Sequence, residues 1–212
     1  MESLKDYYLD SLSELKVDGW LYRTKGSAQI QYWHSCPIQS PSPKLIKFRR
    51  YFRGEFRNKR FFAKQFLKPY FPPWTIKESV EYQFQNLLLM KDLKSVPGPL
   101  FLTNDTVGME YIEGETIKNL ALKNKFNNTF AKNIILQLEE QGPTIIARLK
   151  KVGRKYECSY NNVLVKKNGQ IIFVDFDYWG LSKETIPNFV EIIKALGEKK
   201  IFFTKNGKIS KR

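Results

Sequence analysis

Val163-Leu164-Val165 and Ile171-Ile172-Phe173-Val174 are two apolar runs separated by a linker that contains Lys167-Asn168-Gly169. Asparagine followed by glycine supplies the positive-φ residues of a tight turn, so this stretch predicts a β-hairpin. No other part of the chain fixes its local geometry as firmly. Antiparallel pairing brings Asn162, just before the first strand, close to Asp175, just after the second. An amide oxygen beside a carboxylate suits a hard cation such as Mg2+, which takes a few protein oxygens and completes its shell from water and phosphate. Glu157, five residues before Asn162, adds another carboxylate to the same neighbourhood. A base, an amide and a metal-binding carboxylate are what phosphoryl transfer needs, because that chemistry is mostly positioning and charge neutralisation.

Around this hairpin the pattern is mixed. Trp20–Arg23 and Ala28–Trp33 read as strands about the turn Thr24-Lys25-Gly26-Ser27. Leu45–Phe48 begins another after the Ser40-Pro41-Ser42-Pro43 loop. Val80, Phe84, Leu87 and Leu88 share one face of a helix expected from about Ile76 to Leu93, stopped by Val96-Pro97-Gly98-Pro99. Leu100–Thr103 and Val107–Ile112 read as a strand pair turning at Asn104-Asp105. Phe126, Phe130, Ile134 and Leu138 form the stripe of a helix that Gly142-Pro143 is expected to break. A shorter helix, Thr144–Val152, should follow and end at Gly153 as a left-handed cap. Ile186, Phe189, Val190 and Ile193 mark a last helix. The expected class is α+β with two lobes: residues 1–110 rich in strands, and residues 111–212 mainly helical and carrying the hairpin of 157–177.

Charge narrows the partners. Lys and Arg number 36 against 21 Asp and Glu, a formal +15, which favours nucleic acid, anionic lipid or a phosphorylated substrate. Residues 44–68 hold ten basic side chains and one acid, Glu55, interleaved with Phe48, Tyr51, Phe52, Phe56, Phe61, Phe62 and Phe66. That run fits a solvated face, a nucleic-acid surface of cations and stacking rings, or a patch for an anionic lipid surface. Two cysteines, Cys36 and Cys158, build no disulfide framework or CxxC site, and the one histidine, His34, excludes a multi-histidine centre. No apolar run approaches the roughly 20 residues of a membrane span. Met1–Asp10 carries Glu2, Lys5, Asp6 and Asp10 where a signal peptide would be apolar. The expectation is a cytoplasmic protein with a basic face.

In combination the motifs resemble the protein-kinase-like superfamily over about residues 19–180. Asn162-Val163-Leu164-Val165 is similar to the end of its catalytic loop, and Val174-Asp175-Phe176-Asp177 to its metal-binding motif. Met109-Glu110-Tyr111-Ile112-Glu113-Gly114 is similar to the strand and hinge that hold adenine. Asp177, where protein kinases carry glycine, resembles the lipopolysaccharide kinase branch. Arg49-Arg50-Tyr51-Phe52-Arg53-Gly54 and Val96-Pro97-Gly98-Pro99 resemble the kinases of 3-deoxy-D-manno-octulosonic acid (Kdo) within it. The resemblance implies a bilobal kinase-like fold that binds ATP and Mg2+ between its lobes. Gly26 and Ser27 would cover the phosphates, and Lys47 or Arg49, two apart on one strand face, would be the strand cation. Glu81 on the first helix would pair with that cation, and the backbone of Glu110, Tyr111 and Ile112 would meet adenine. Asn162, Asp175 and Asp177 would hold metal, with Glu157 and Asp175 as the catalytic carboxylates. The implied acceptor is a hydroxyl of Kdo on a lipid A precursor. The protein would then lie on the inner face of the cell inner membrane, with 44–68 against the anionic surface.

One position departs from that pattern. Lys155-Tyr156-Glu157 stands where the family has His-x-Asp. The extra methylene matters, because a displacement near 1 Å can cost roughly 100-fold in rate. An active kinase and a nucleotide-binding pseudokinase both fit. Only 35 residues follow Asp177, short for a peptide-binding surface; this favours a non-protein acceptor over a minimal atypical protein kinase. A basic nucleic-acid-binding protein without catalysis is the reading from another class, and steep salt dependence would distinguish it.

Overall fold

The computed structural model describes residues 3–23, 30–34, 49–68, 74–123, 125–154, 160–176, 186–204 and 208–211; for 19–23, 30–34 and 49 it describes the backbone only. Gly26, Ser27, Lys47, Glu157 and Asp177, the strand expected at Leu45–Phe48, and the side chain of Arg49 lie outside the described residues. The architecture is α+β, in two compact units. One comprises Met1–Leu88 and Gly98–Tyr111; the other comprises Leu89–Pro97 and Ile112–Arg212.

The first unit is built on six antiparallel strands: β1 (Lys16–Arg23), β2 (Ile30–His34), β3 (Arg49–Phe56), β4 (Lys59–Phe66), β5 (Pro99–Leu102) and β6 (Thr106–Glu110), in the order β2-β1-β3-β4-β6-β5. Residues 49–66 of the basic-aromatic run are therefore a hairpin. Its two turn residues, Arg57 and Asn58, both have positive φ (48° and 62°), the conformation whose twist matches the flanking strands. Alternation sorts the side chains: Phe52, Phe56, Phe61 and Ala63 enter one core with Phe101, Leu9 and Leu15. Phe61 meets Phe52 and Phe101 edge-on at 5.8 and 5.2 Å. Leu9 is fixed there by its N–H, which donates to the Leu102 carbonyl at 2.8 Å.

Helix α1 (Ile76–Leu88) packs across β4, β5 and β6. Its buried Val80, Phe84 and Leu87 are no part of the Phe52–Phe101 core, so the helix covers the opposite sheet face. Thr75 starts it: the Glu78 N–H donates to Thr75 Oγ1 at 3.2 Å, and the Thr75 N–H to the Glu78 carboxylate at 2.6 Å, a reciprocal cap. The helix ends at Leu88, short of the expected Leu93, and the Leu89 carbonyl accepts from Arg148.

That second unit holds β7 (Glu115–Thr116), β8 (Val163–Val165) and β9 (Ile171–Phe173) in the order β7-β8-β9. With them are α2 (Ile117–Leu122), α3 (Asn128–Lys151), α4 (Ile186–Gly197) and the hairpin of β10 (Ile201–Phe203) and β11 (Ile209–Lys211). The break expected at Gly142-Pro143, with a separate helix Thr144–Val152, is not present: α3 runs through both residues. Gly142 serves a different purpose, since a Cβ there would overlap Ile186 Cδ1 of α4. It is the point of close helix–helix approach. At the far end Gly153 (φ +69°) caps α3 as expected; its N–H donates to Lys150 O at 3.0 Å and that of Arg154 to Leu149 O at 2.8 Å.

Arg148 on α3 fastens the Leu89–Pro97 segment. Its guanidinium donates to the Leu89 carbonyl at 2.9 Å and to both oxygens of Asp92. These hydrogen bonds, more than the charge, hold the Asp92 carboxyl well below its ordinary value, at about 2. A folded-state value below the unfolded one, near 3.9, gives a contribution that is present above that pH and lost as pH falls through 2. The Tm difference between wild type and Asp92→Asn should therefore be largest at neutral pH and close by pH 2 in thermal scans. Among the described residues no helix is long and apolar enough to cross a membrane.

Candidate functional site

The expected β8–β9 hairpin forms, with Val163 opposite Phe173 and Val165 opposite Ile171. Gly169 turns at φ +83° and donates to Lys166 O at 2.9 Å. The ladder continues one step past the strands, where the Val174 N–H donates to Asn162 O at 2.8 Å. Asn162 and Asp175 thus emerge together at the open end of the hairpin, both half-buried. Asp175 adopts φ +67°. A non-glycine residue in that region costs on the order of 1–3 kcal/mol and persists only where its surroundings fix it, a condition common at functional sites.

Those surroundings are specific. Gln137 of α3 clamps the turn: its amide nitrogen donates to Gly169 O at 2.8 Å, and its oxygen accepts the Ile171 N–H at 2.9 Å. On the other edge the Phe173 N–H donates to Ser95 O at 2.8 Å. Ahead of Asn162, the Tyr160 carbonyl accepts the Lys118 N–H at 3.2 Å, and the Tyr160 ring meets Phe203 of β10 edge-on at 4.7 Å. Phe176, just after Asp175, is buried. Replacing Gln137 by Ala removes both clamp bonds and should cost about 1–3 kcal/mol, read as a lower Tm and faster hydrogen exchange at Ile171.

Asn162 and Asp175 offer an amide oxygen and a carboxylate, a donor pair that fits Mg2+ with water and phosphate completing its shell. Among the described residues no cluster of three or more His, Cys, Asp and Glu gathers around a metal position.

Glu81, Glu110 and Tyr111 lie in the first unit. Glu81 accepts the Tyr8 hydroxyl at 2.7 Å and lies 3.8 Å from Lys77. Burial, then the bond to Glu81 and its charge, push the Tyr8 phenol above its ordinary range. Glu110 is stitched to Gly98: its N–H donates to Gly98 O at 2.8 Å and its carboxylate accepts the Gly98 N–H at 3.2 Å. The Tyr111 N–H donates to Arg60 O at 3.0 Å, and its ring lies under Arg60 and Arg53, at 4.4 and 5.8 Å. Of the expected hinge, the N–H groups of Glu110 and Tyr111 are thus bonded within the unit. Ile112 begins the other unit.

Lys64 is the residue that motif reasoning missed. It lies in β4, between Tyr51 of β3 and Val107 of β6, and is 3% exposed. Lysine is almost never buried unless partnered, and the signal was its place between Phe62 and Phe66 on the even-numbered strand face. No family model matches the chain, and no curated protein matches it.

Proposed function

We propose that this chain is an ATP- and Mg2+-dependent phosphotransferase with a protein-kinase-like fold. Its acceptor is a hydroxyl of Kdo on a lipid A precursor, reached from the inner face of the cell inner membrane. The observation that carries the reading is Asp175, held at positive φ beside Asn162 at the open end of the β8–β9 hairpin. Mg2+ bound there would supply charge neutralisation for a transferring phosphoryl group. Asn162 and Asp175 would hold that charge in place, with the hairpin clamped by Gln137. Gly26, Ser27, Lys47, Arg49, Glu81, Glu110, Tyr111 and Ile112 in the ATP site, Asp177 as a further metal contact and Glu157 as base belong to the same proposal. So does the basic 44–68 run as membrane contact, at about 1 kcal/mol per cation near an anionic surface.

A nucleic-acid surface is the second reading. It is favoured by the stacked Tyr51 and Phe62 rings, 5.7 Å apart, beside the guanidiniums over Tyr111. Transfer of label from γ-labelled ATP to Kdo-bearing lipid A precursor, with Mg2+ and with Asp175→Ala as control, tests the first reading. Label that vanishes in the control supports it. ATP binding without label points to a pseudokinase or another acceptor. Absence of both, with oligonucleotide affinity falling steeply in salt, supports the second reading.

A further inference from the structure

We propose that the β10–β11 hairpin docks on an anionic lipid bilayer, its apolar side chains entering the headgroup boundary while its lysines meet the lipid charge. From Lys199 to Arg212 the chain carries six basic residues and no acid. Lys200 is paired with Glu198 at 2.8 Å; Lys199, Lys208 and Lys211 are exposed. The hairpin packs through β10 on α2 and α4, and Phe203, 7% exposed, is the residue that meets Tyr160. Alternation turns Phe202 to the opposite face, across from Ser210, and leaves it 38% exposed. Ile209 pairs with Phe203 and is itself 37% exposed. Each face of this short hairpin therefore shows an apolar side chain among cations.

That distribution selects the partner. A protein or a nucleic acid is a firm surface and covers one face of a hairpin. A base stacks on a ring such as Phe202, yet Ile209 on the other face gains nothing from stacking. A bilayer interface is fluid and closes around both faces of what enters it. It takes aromatic and aliphatic groups into the acyl boundary and leaves lysine ammoniums at the headgroups, their stems lying along the apolar layer. Anionic headgroups are the complement of a segment with no carboxylate of its own. The 44–68 run belongs to the first unit and the hairpin to the second, so this is a separate patch.

Co-sedimentation of the full chain with vesicles of phosphatidylcholine, and of phosphatidylcholine mixed with phosphatidylglycerol, tests this. Wild type should pellet with the anionic vesicles only. Phe202→Ser should weaken that binding roughly tenfold, the loss of one partly inserted ring. Phe202→Trp keeps an interfacial ring and should bind at least as tightly. Lys208→Gln with Lys211→Gln should cost roughly thirtyfold. The control is Lys150→Gln with Lys151→Gln. Gly197 of α4 lies beside Ala131, near the start of α3, so this pair removes equal charge roughly 30 Å along the helix. It should stay within about threefold of wild type, because salt screens charges that far apart. Should Phe202→Ser unfold in thermal scans, the two lysine pairs carry the test. Equal losses in the two pairs, full binding by a folded Phe202→Ser, or a wild type that binds no anionic vesicle each overturn the proposal. So does a Phe202→Ser that loses affinity for a single-stranded oligonucleotide but not for vesicles. No ATP or acceptor sugar enters these assays, so the outcome is independent of the phosphotransferase reading.

Discussion

On the proposed phosphotransferase reading, Asp175→Asn should cut Mg2+-dependent phosphate transfer roughly a hundredfold to a thousandfold or more. Asparagine suits this test because it tolerates left-handed backbone better than most residues, so φ +67° is kept while the carboxylate is removed. Alanine mixes two effects, since a Cβ residue without a polar side chain costs about 1–2 kcal/mol in that conformation. Asp175→Gly is the complementary change: it relieves the backbone at φ +67° and removes the proposed metal ligand as thoroughly. Titration calorimetry with Mg-ATP and label transfer read the functional side, and thermal scans the other. Unchanged Mg2+ dependence in Asp175→Asn would remove this residue, and the hairpin end with it, from the site.

Gly54→Ala should be the most destabilising conservative change in the first unit, about 3 kcal/mol or more. Gly54 pairs with Val17 where the β1–β3 register shifts. A Cβ there would overlap the main-chain carbonyl oxygen of Lys16 and come within 3.0 Å of the Phe61 ring. A rotamer change cannot relieve a collision with backbone, so β1 must move from β3. Gly153→Ala is the comparison: its φ is positive but the space is open, and it should cost only about 1–2 kcal/mol. Equal Tm losses for the two would mean the close strand approach is not what Gly54 provides.

Turn chemistry explains much of what the sequence disclosed. Asn168-Gly169 announced the β8–β9 hairpin, and with it the meeting of Asn162 and Asp175. Arg57-Asn58 makes an equally tight turn without glycine, so the β3–β4 pairing stayed hidden inside a basic run. Gly142-Pro143 misled for the opposite reason: tertiary contact with Ile186 decides what that glycine is for, and local propensity yields to it. Lys64 was hard to single out as one of the ten cations in residues 44–68, because its burial follows from pairing partners far off in sequence. Tyr8 as the partner of Glu81 lay out of reach for the same reason, being 73 residues away.

The division of the chain has a consequence for its synthesis. Leu89–Pro97 belongs to the second unit although the first encloses it in sequence, so the polypeptide passes from one unit to the other three times. Neither unit is a contiguous stretch that a ribosome could release to fold alone. The first cannot complete its sheet until β6 has emerged, and Asp92 waits for Arg148, 56 residues later. Permuted or split versions of the chain should therefore succeed or fail by whether the cut separates Leu89–Pro97 from α3, more than by the length of either piece.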